Sequence, residues 1–104
     1  MKQAIRSTAA TSDVAAAIGQ YLNEAPHVAV DFVDELERAM RHIERHPSSG
    51  SPRYAHELDI PQLRYWPLRR FPFALFYVDD ADRLVILRCV HVMRDIPASL
   101  RVEP

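Results

Sequence analysis

Two apolar runs dominate the second half of the chain, Phe71 to Val78 and Leu84 to Met93, separated by the polar stretch Asp79-Asp80-Ala81-Asp82-Arg83. Runs of this length, rich in Val, Ile, Phe and Tyr and bounded by Asp and Pro, predict two buried strands joined by a hairpin loop. Both faces of each run are apolar, which suits central strands. Arg88 interrupts the second run. A guanidinium buried without a partner is costly, so Arg88 must meet a pocket, a partner or water.

The first half has a different period. Gln3 to Ser7 is a short candidate strand. Val14, Ala17, Ile18, Tyr21 and Leu22 recur at helical spacing, predicting a helix from about Asp13 to Glu24, with Thr11 or Ser12 as N-cap and Asp13 in the first turn. Gly19 costs this helix on the order of 1 kcal/mol. Asn23-Glu24-Ala25-Pro26 breaks the chain, and Pro26 suits the first turn of a second helix. Ala29, Phe32, Val33, Leu36, Met40 and Ile43 then trace one face of a helix over about His27 to Arg45. Its other face carries Asp31, Asp34, Glu35, Arg38, Arg41, Glu44 and Arg45 and reads as a solvated stripe. Glu37–Arg41 and Asp34–Arg38 are favourable i, i+4 pairs on it. So short a break makes the two helices a hairpin.

His46 to Pro52 is turn chemistry. The connection to the next strand, at about 15 residues, is long enough to suggest a mobile or partner-binding loop. Leu63 to Leu68 is a further strand, placed at an edge because Pro67 has no amide hydrogen; Arg64, Trp66 and Leu68 share one of its faces. Asp95 to Leu100 suits a last helical turn capped by Asp95, with Arg94 and Asp95 a structural pair. The order β-α-α-β-β-β, then a short helix, predicts an α+β domain spanning residues 1–104. A helical hairpin would cover one face of a small, mostly antiparallel sheet and leave the other open. Strict alternation puts Leu84, Ile86, Arg88, Val90 and Val92 on that open face, and Val85, Leu87, Cys89, His91 and Met93 toward the helices. An open apolar face around one Arg reads as a partner-binding surface.

Composition narrows the classes. Hydrophobic residues make up 48 % of 104, enough for a core, and the formal net charge is −1. Bulk charge therefore does not favour direct nucleic-acid binding. Lys2 is the sole lysine; the other twelve basic residues are arginines. Arginine's planar fork suits carboxylates, phosphates and interfaces, although a GC-rich genome would give the same bias. Cys89, the one cysteine, excludes an internal disulfide and is compatible with the cytoplasm. No stretch approaches the roughly 20 apolar residues of a membrane span, and the N-terminus lacks a signal-peptide core. No metal-ligand or cofactor pattern is evident.

Six pieces of the sequence, in this order and spacing, carry a resemblance. They are Ala9-Ala10-x-x-Asp13-Val14-x-x-x-Ile18-x-x-Tyr21; Ala29-x-x-Phe32-x-x-x-Leu36; His46-Pro47-x-x-Gly50-x-Pro52-Arg53; Leu63-Arg64-x-Trp66-Pro67-Leu68; Phe71-Pro72-Phe73-x-x-x-Tyr77; and Ile86-Leu87-Arg88-Cys89-Val90-His91-x-x-Arg94-Asp95. With these the chain resembles a ParE-type toxin of the RelE/ParE superfamily, from bacterial type II toxin–antitoxin modules. The resemblance implies the same β-α-α-β-β-β fold, a ParD-like antitoxin held in a hetero-oligomer, and DNA gyrase as target. RelE-like relatives, by contrast, are ribosome-dependent mRNA interferases. Such cleavage needs a base, an acid and cations for phosphate charge; Arg70, Arg88 and His91 would be the candidates here. Parts of that set are absent: Ala74 stands where an arginine is usual, no lysine follows Lys2, and no tyrosine follows Tyr77. The protein-binding reading takes Arg69, Arg70, Leu84, Ile86, Arg88, Val90 and Arg94 as contact residues.

Overall fold

A computed structural model describes residues 2–94 and 96–100. The elements are β1 (Ala4–Arg6), α1 (Thr8–Glu24), α2 (Pro26–Arg45), a single 3-10 turn (Pro47–Ser49), β2 (Leu63–Pro67), β3 (Phe73–Asp79), β4 (Leu84–His91) and α3 (Ile96–Leu100). The expected order and α+β class hold. Asp95, expected to cap α3 and pair with Arg94, lies outside the described residues.

α1 starts five residues earlier than its apolar spacing predicts. Ser7, not Thr11 or Ser12, is the N-cap, its Oγ accepting from the Ala10 N–H at 3.0 Å. Alanines at 9 and 10 then carry the helix through the hydroxyl-rich segment. Asp13 thereby moves out of the first turn and is released for another task. α2 begins at Pro26, whose missing N–H costs nothing there.

The sheet order is β1-β4-β3-β2. β1 runs parallel to β4; the β4–β3 and β3–β2 pairs are antiparallel. The two long apolar runs are thus the central strands, and Pro67 sits on an edge strand as expected. The helical hairpin packs on one face. Tyr21, Phe32, Phe71 and Phe73 form an aromatic cluster there, Phe32 lying 5.3 Å from Tyr21 and 5.4 Å from Phe71 between centroids. Each such pair adds about 0.5–1.5 kcal/mol beyond area burial.

The opposite face corrects the expectation of an open sheet. Leu63, Ala74, Phe76 and Val90 form a second buried cluster. Tyr54, Ala55, Leu58 and Ile60 from the long connection cover it, together with Ile96 and Leu100 of α3. That connection is a lid on the sheet rather than a free loop. Its first part is pinned: the buried Tyr77 hydroxyl donates to Pro47 O at 2.7 Å and accepts from the Gly50 N–H at 2.9 Å. Arg64 Nη1 donates to Ser48 O and Gly50 O at 3.0 and 2.7 Å. Gly50 leaves no space for a side chain: a Cβ there would lie 2.4 Å from the Tyr77 hydroxyl oxygen.

A β-bulge breaks the alternation of β4. Tyr77 pairs with Ile86 but Phe76 pairs with Arg88, so Leu87 is an extra residue in the ladder. Before the bulge Leu84 and Ile86 face the helices; after it Cys89 and His91 do. The assignment of Leu84 and Ile86 to the face away from the helices, and of Val85 and Leu87 to the helical side, is therefore corrected. Arg88 and Val90 do leave on the side of Phe76, as expected.

Candidate functional site

β1 protects the outer edge of β4 only as far as Ile86. Beyond that the chain turns at Ser7 into α1, and side chains replace the missing strand. Ser7 N donates to Ile86 O at 2.9 Å, and Ser7 Oγ to Leu87 O at 2.8 Å. Asp13 Oδ2 accepts from the Cys89 N–H at 3.0 Å. The same carboxylate grips Arg88, with Nε to Oδ2 at 2.6 Å and Nη2 to Oδ1 at 2.9 Å. Arg88 Nη1 donates to Ser99 O of α3 at 2.5 Å. The paired carboxylate holds the Arg88 guanidinium protonated, raising its pKa further. Arg88 therefore has an internal partner. It curls round the sheet edge and ties α1, β4 and α3 together, instead of waiting in an open apolar field. Nothing in the apolar periodicity of α1 marks Asp13 as its partner.

Burial settles three more expected contact residues. Leu84 and Ile86 are 0 % exposed and Val90 is 1 %. The first two sit under the helices and the third under the lid and α3, so none forms a contact surface on the free chain. Cys89 is buried beside them; burial, then the Asp13 charge, push its thiol up to about 12.

Three expected cations are exposed. Arg69 and Arg70 lie on the turn between β2 and β3. The Arg69 N–H donates to Glu35 Oε2 at 2.6 Å. Glu35 also takes both forks of Arg38, at 2.7 and 2.8 Å. Burial works against the Glu35 charge, yet these hydrogen bonds hold its carboxyl below its ordinary value. Arg70 occupies the left-handed region at φ 70° and leans over Phe71, 5.9 Å from the ring centroid. Arg94 shares a cavity of about 80 Å³ with Asp13, Gln20 and His91, floored by Ala17, Phe73 and Cys89. His91 Nδ1 accepts from the Met93 N–H at 3.1 Å, and its ring meets Phe73 edge-on. Of the Arg70, Arg88 and His91 set that cleavage chemistry would need, Arg88 is committed to Asp13 and Arg70 lies on the turn between β2 and β3.

Two surface features escaped the sequence reading. A groove of about 410 Å³ runs between the hairpin and β1, lined by Ala4, Val14, Ile18, Val33, Leu36 and Met40 and edged by Arg6 and Glu37. Its apolar helical residues belong to the apolar stripes of α1 and α2, so periodicity alone could not separate groove from core. A cluster of arginines and histidines also gathers at the end of α2. Among the described residues no group of three His, Cys, Asp or Glu is placed to hold a metal, and no helix is long and apolar enough to cross a membrane.

The architecture is that of an α+β toxin fold. A solved chain described as "Chromosomal ParDE TA system from P. aeruginosa" shares it, with a TM-score of 0.73 and 22 % identity, over 88 % of this chain and 97 % of that one. The family model described as "ParE toxin of type II toxin-antitoxin system, parDE" matches residues 5–96. The chain belongs to that ParE toxin family. No curated protein sequence matches it.

Proposed function

We propose that the chain is a toxin that acts by binding proteins in the cytoplasm: a cognate ParD-like antitoxin neutralises it in a hetero-oligomer, and DNA gyrase is its target. The family match over residues 5–96 carries this reading. The groove between the hairpin and β1 supports it, since an apolar channel with a charged residue on each lip suits an amphipathic segment. Exposed Arg69, Arg70 and Arg94 supply further contacts to antitoxin or target. The occupied donors of Arg88 favour protein binding over RNA cleavage.

Inhibition of supercoiling by purified gyrase, relieved by the product of the adjacent reading frame, is the expected result. Undiminished supercoiling at saturating protein would overturn the gyrase assignment. Codon-phased cuts in translated messages after induction would replace it with mRNA interference.

A further inference from the structure

The C-terminal half of α2 gathers cations that the fold neutralises only in part. Arg38, Arg41, His42, Arg45 and His46 wall a cavity of about 200 Å³. Arg38 is matched by Glu35. Arg41 reaches Glu37 only at 3.7 Å, with both side chains more than half exposed. Arg45 makes no ion pair among the described residues.

The cluster also has shielded nitrogens without partners. His42 stacks on Trp66 with centroids 4.4 Å apart, and neither His42 Nε2 nor Trp66 Nε1 has a hydrogen-bond partner among the described residues. Burial lowers the His42 pKa, and so do the charges of His46, Arg38 and Arg69. Cations gathered at a cost to one another describe a surface whose complement is anionic.

We propose that this end of α2 docks an acidic, extended segment of a partner protein. The pitch fits. Arg41 and Arg45 are one helical turn apart, about 6 Å along the axis. Carboxylates on alternate residues of an extended chain recur at roughly 6.6 Å. Two such carboxylates can each meet one guanidinium fork. A nucleic-acid strand fits less well. The same face continues into a cavity of about 240 Å³ lined by Asp31, Asp34 and Glu35 together with Arg38 and Arg70. Arg38 pairs with Glu35 and Arg70 lies 3.7 Å from Asp31, so the carboxylates outnumber the guanidiniums there and disfavour a continuous polyphosphate. A protein segment can change charge or turn away there.

The test uses the full chain and a fluorescein-labelled octapeptide of alternating Glu and Ser, followed by anisotropy at about 20 mM salt. Saturable binding is expected, weakening steeply toward about 0.3 M salt. The Gln-Ser analogue should not bind. R41E/R45E should weaken binding by at least about tenfold, two favourable pairs becoming repulsive. R41Q/R45Q, which adds no repulsion within the helix, should weaken it less but measurably. His27→Glu, exposed at the opposite end of α2 and about 21 Å from Arg41 along its axis, should leave it unchanged. The proposal is overturned if the peptide does not bind at low salt, if both double variants bind as the parent does, or if an oligothymidylate of equal charge binds this cluster more tightly. None of these readouts depends on gyrase or on toxicity, so they fail or succeed independently of the toxin reading.

Discussion

Arg88 of β4 closes on Asp13 of α1 through two hydrogen bonds, at 2.6 and 2.9 Å, although 74 residues separate them. Asp13 simultaneously holds the Cys89 N–H. The pair thus seals the stretch of β4 edge that β1 does not reach.

Removing one partner should leave the other's charge half-buried and unpaired. Asp13→Ala is expected to cost about 2 kcal/mol in urea unfolding, because it also orphans the Cys89 N–H. Arg88→Ala should cost less. A double-mutant cycle should show favourable coupling of about 1 kcal/mol or more; strictly additive losses would mean that the pair is incidental.

Leu84 and Ile86 provide a test of the bulge. Under the helices, Leu84→Ala and Ile86→Ala should each cost about 2–4 kcal/mol. On an open face each would cost under about 1 kcal/mol, so denaturant midpoints decide between the two placements.

The Tyr77–Gly50 lock should be intolerant of change. Gly50→Ala forces a Cβ against the ring, and Tyr77→Phe strips two buried backbone groups of their partner, for about 1–3 kcal/mol. Burial raises the Tyr77 pKa above 10.0. The folded state therefore holds this proton longer than the unfolded state. The phenol's contribution is intact below pH 10 and declines as pH rises through its folded value. Tyr77→Phe should flatten that alkaline limb; an unchanged limb would assign it elsewhere.

His42 has the opposite sign. Its pKa is lowered from 6.5, chiefly by burial and then by neighbouring cations. The unfolded chain binds this proton first as pH falls. The contribution of neutral His42 is present above pH 6.5 and lost as pH drops through the lower folded value. A shallower acid limb in His42→Gln would confirm this. Fluorescence of Trp66, the only tryptophan and the ring stacked on His42, should change over the same range and not in the variant.

Element order, the helical hairpin, the two central strands and the edge position of β2 were all legible in the sequence. They depend on local pattern: apolar residues at helical spacing in α2, unbroken apolar runs in β3 and β4, and a proline that cannot donate to a ladder. Arg88's need for a partner was legible too, because an isolated buried charge is expensive wherever it lies. Which partner it takes was not. Asp13 becomes available only because Ser7 starts the helix early and brings the carboxylate beside an uncovered strand edge. The face of Leu84 and Ile86 was equally beyond reach, since one extra residue at Leu87 reverses every side chain past it and leaves no mark in hydrophobicity. The closed second face needed the folded chain as well: Tyr54, Leu58 and Ile60 look like scattered loop residues until Tyr77 and Gly50 pin their segment across the sheet. Local pattern sets which elements form. Contacts between residues distant in sequence decide which surfaces remain for a partner.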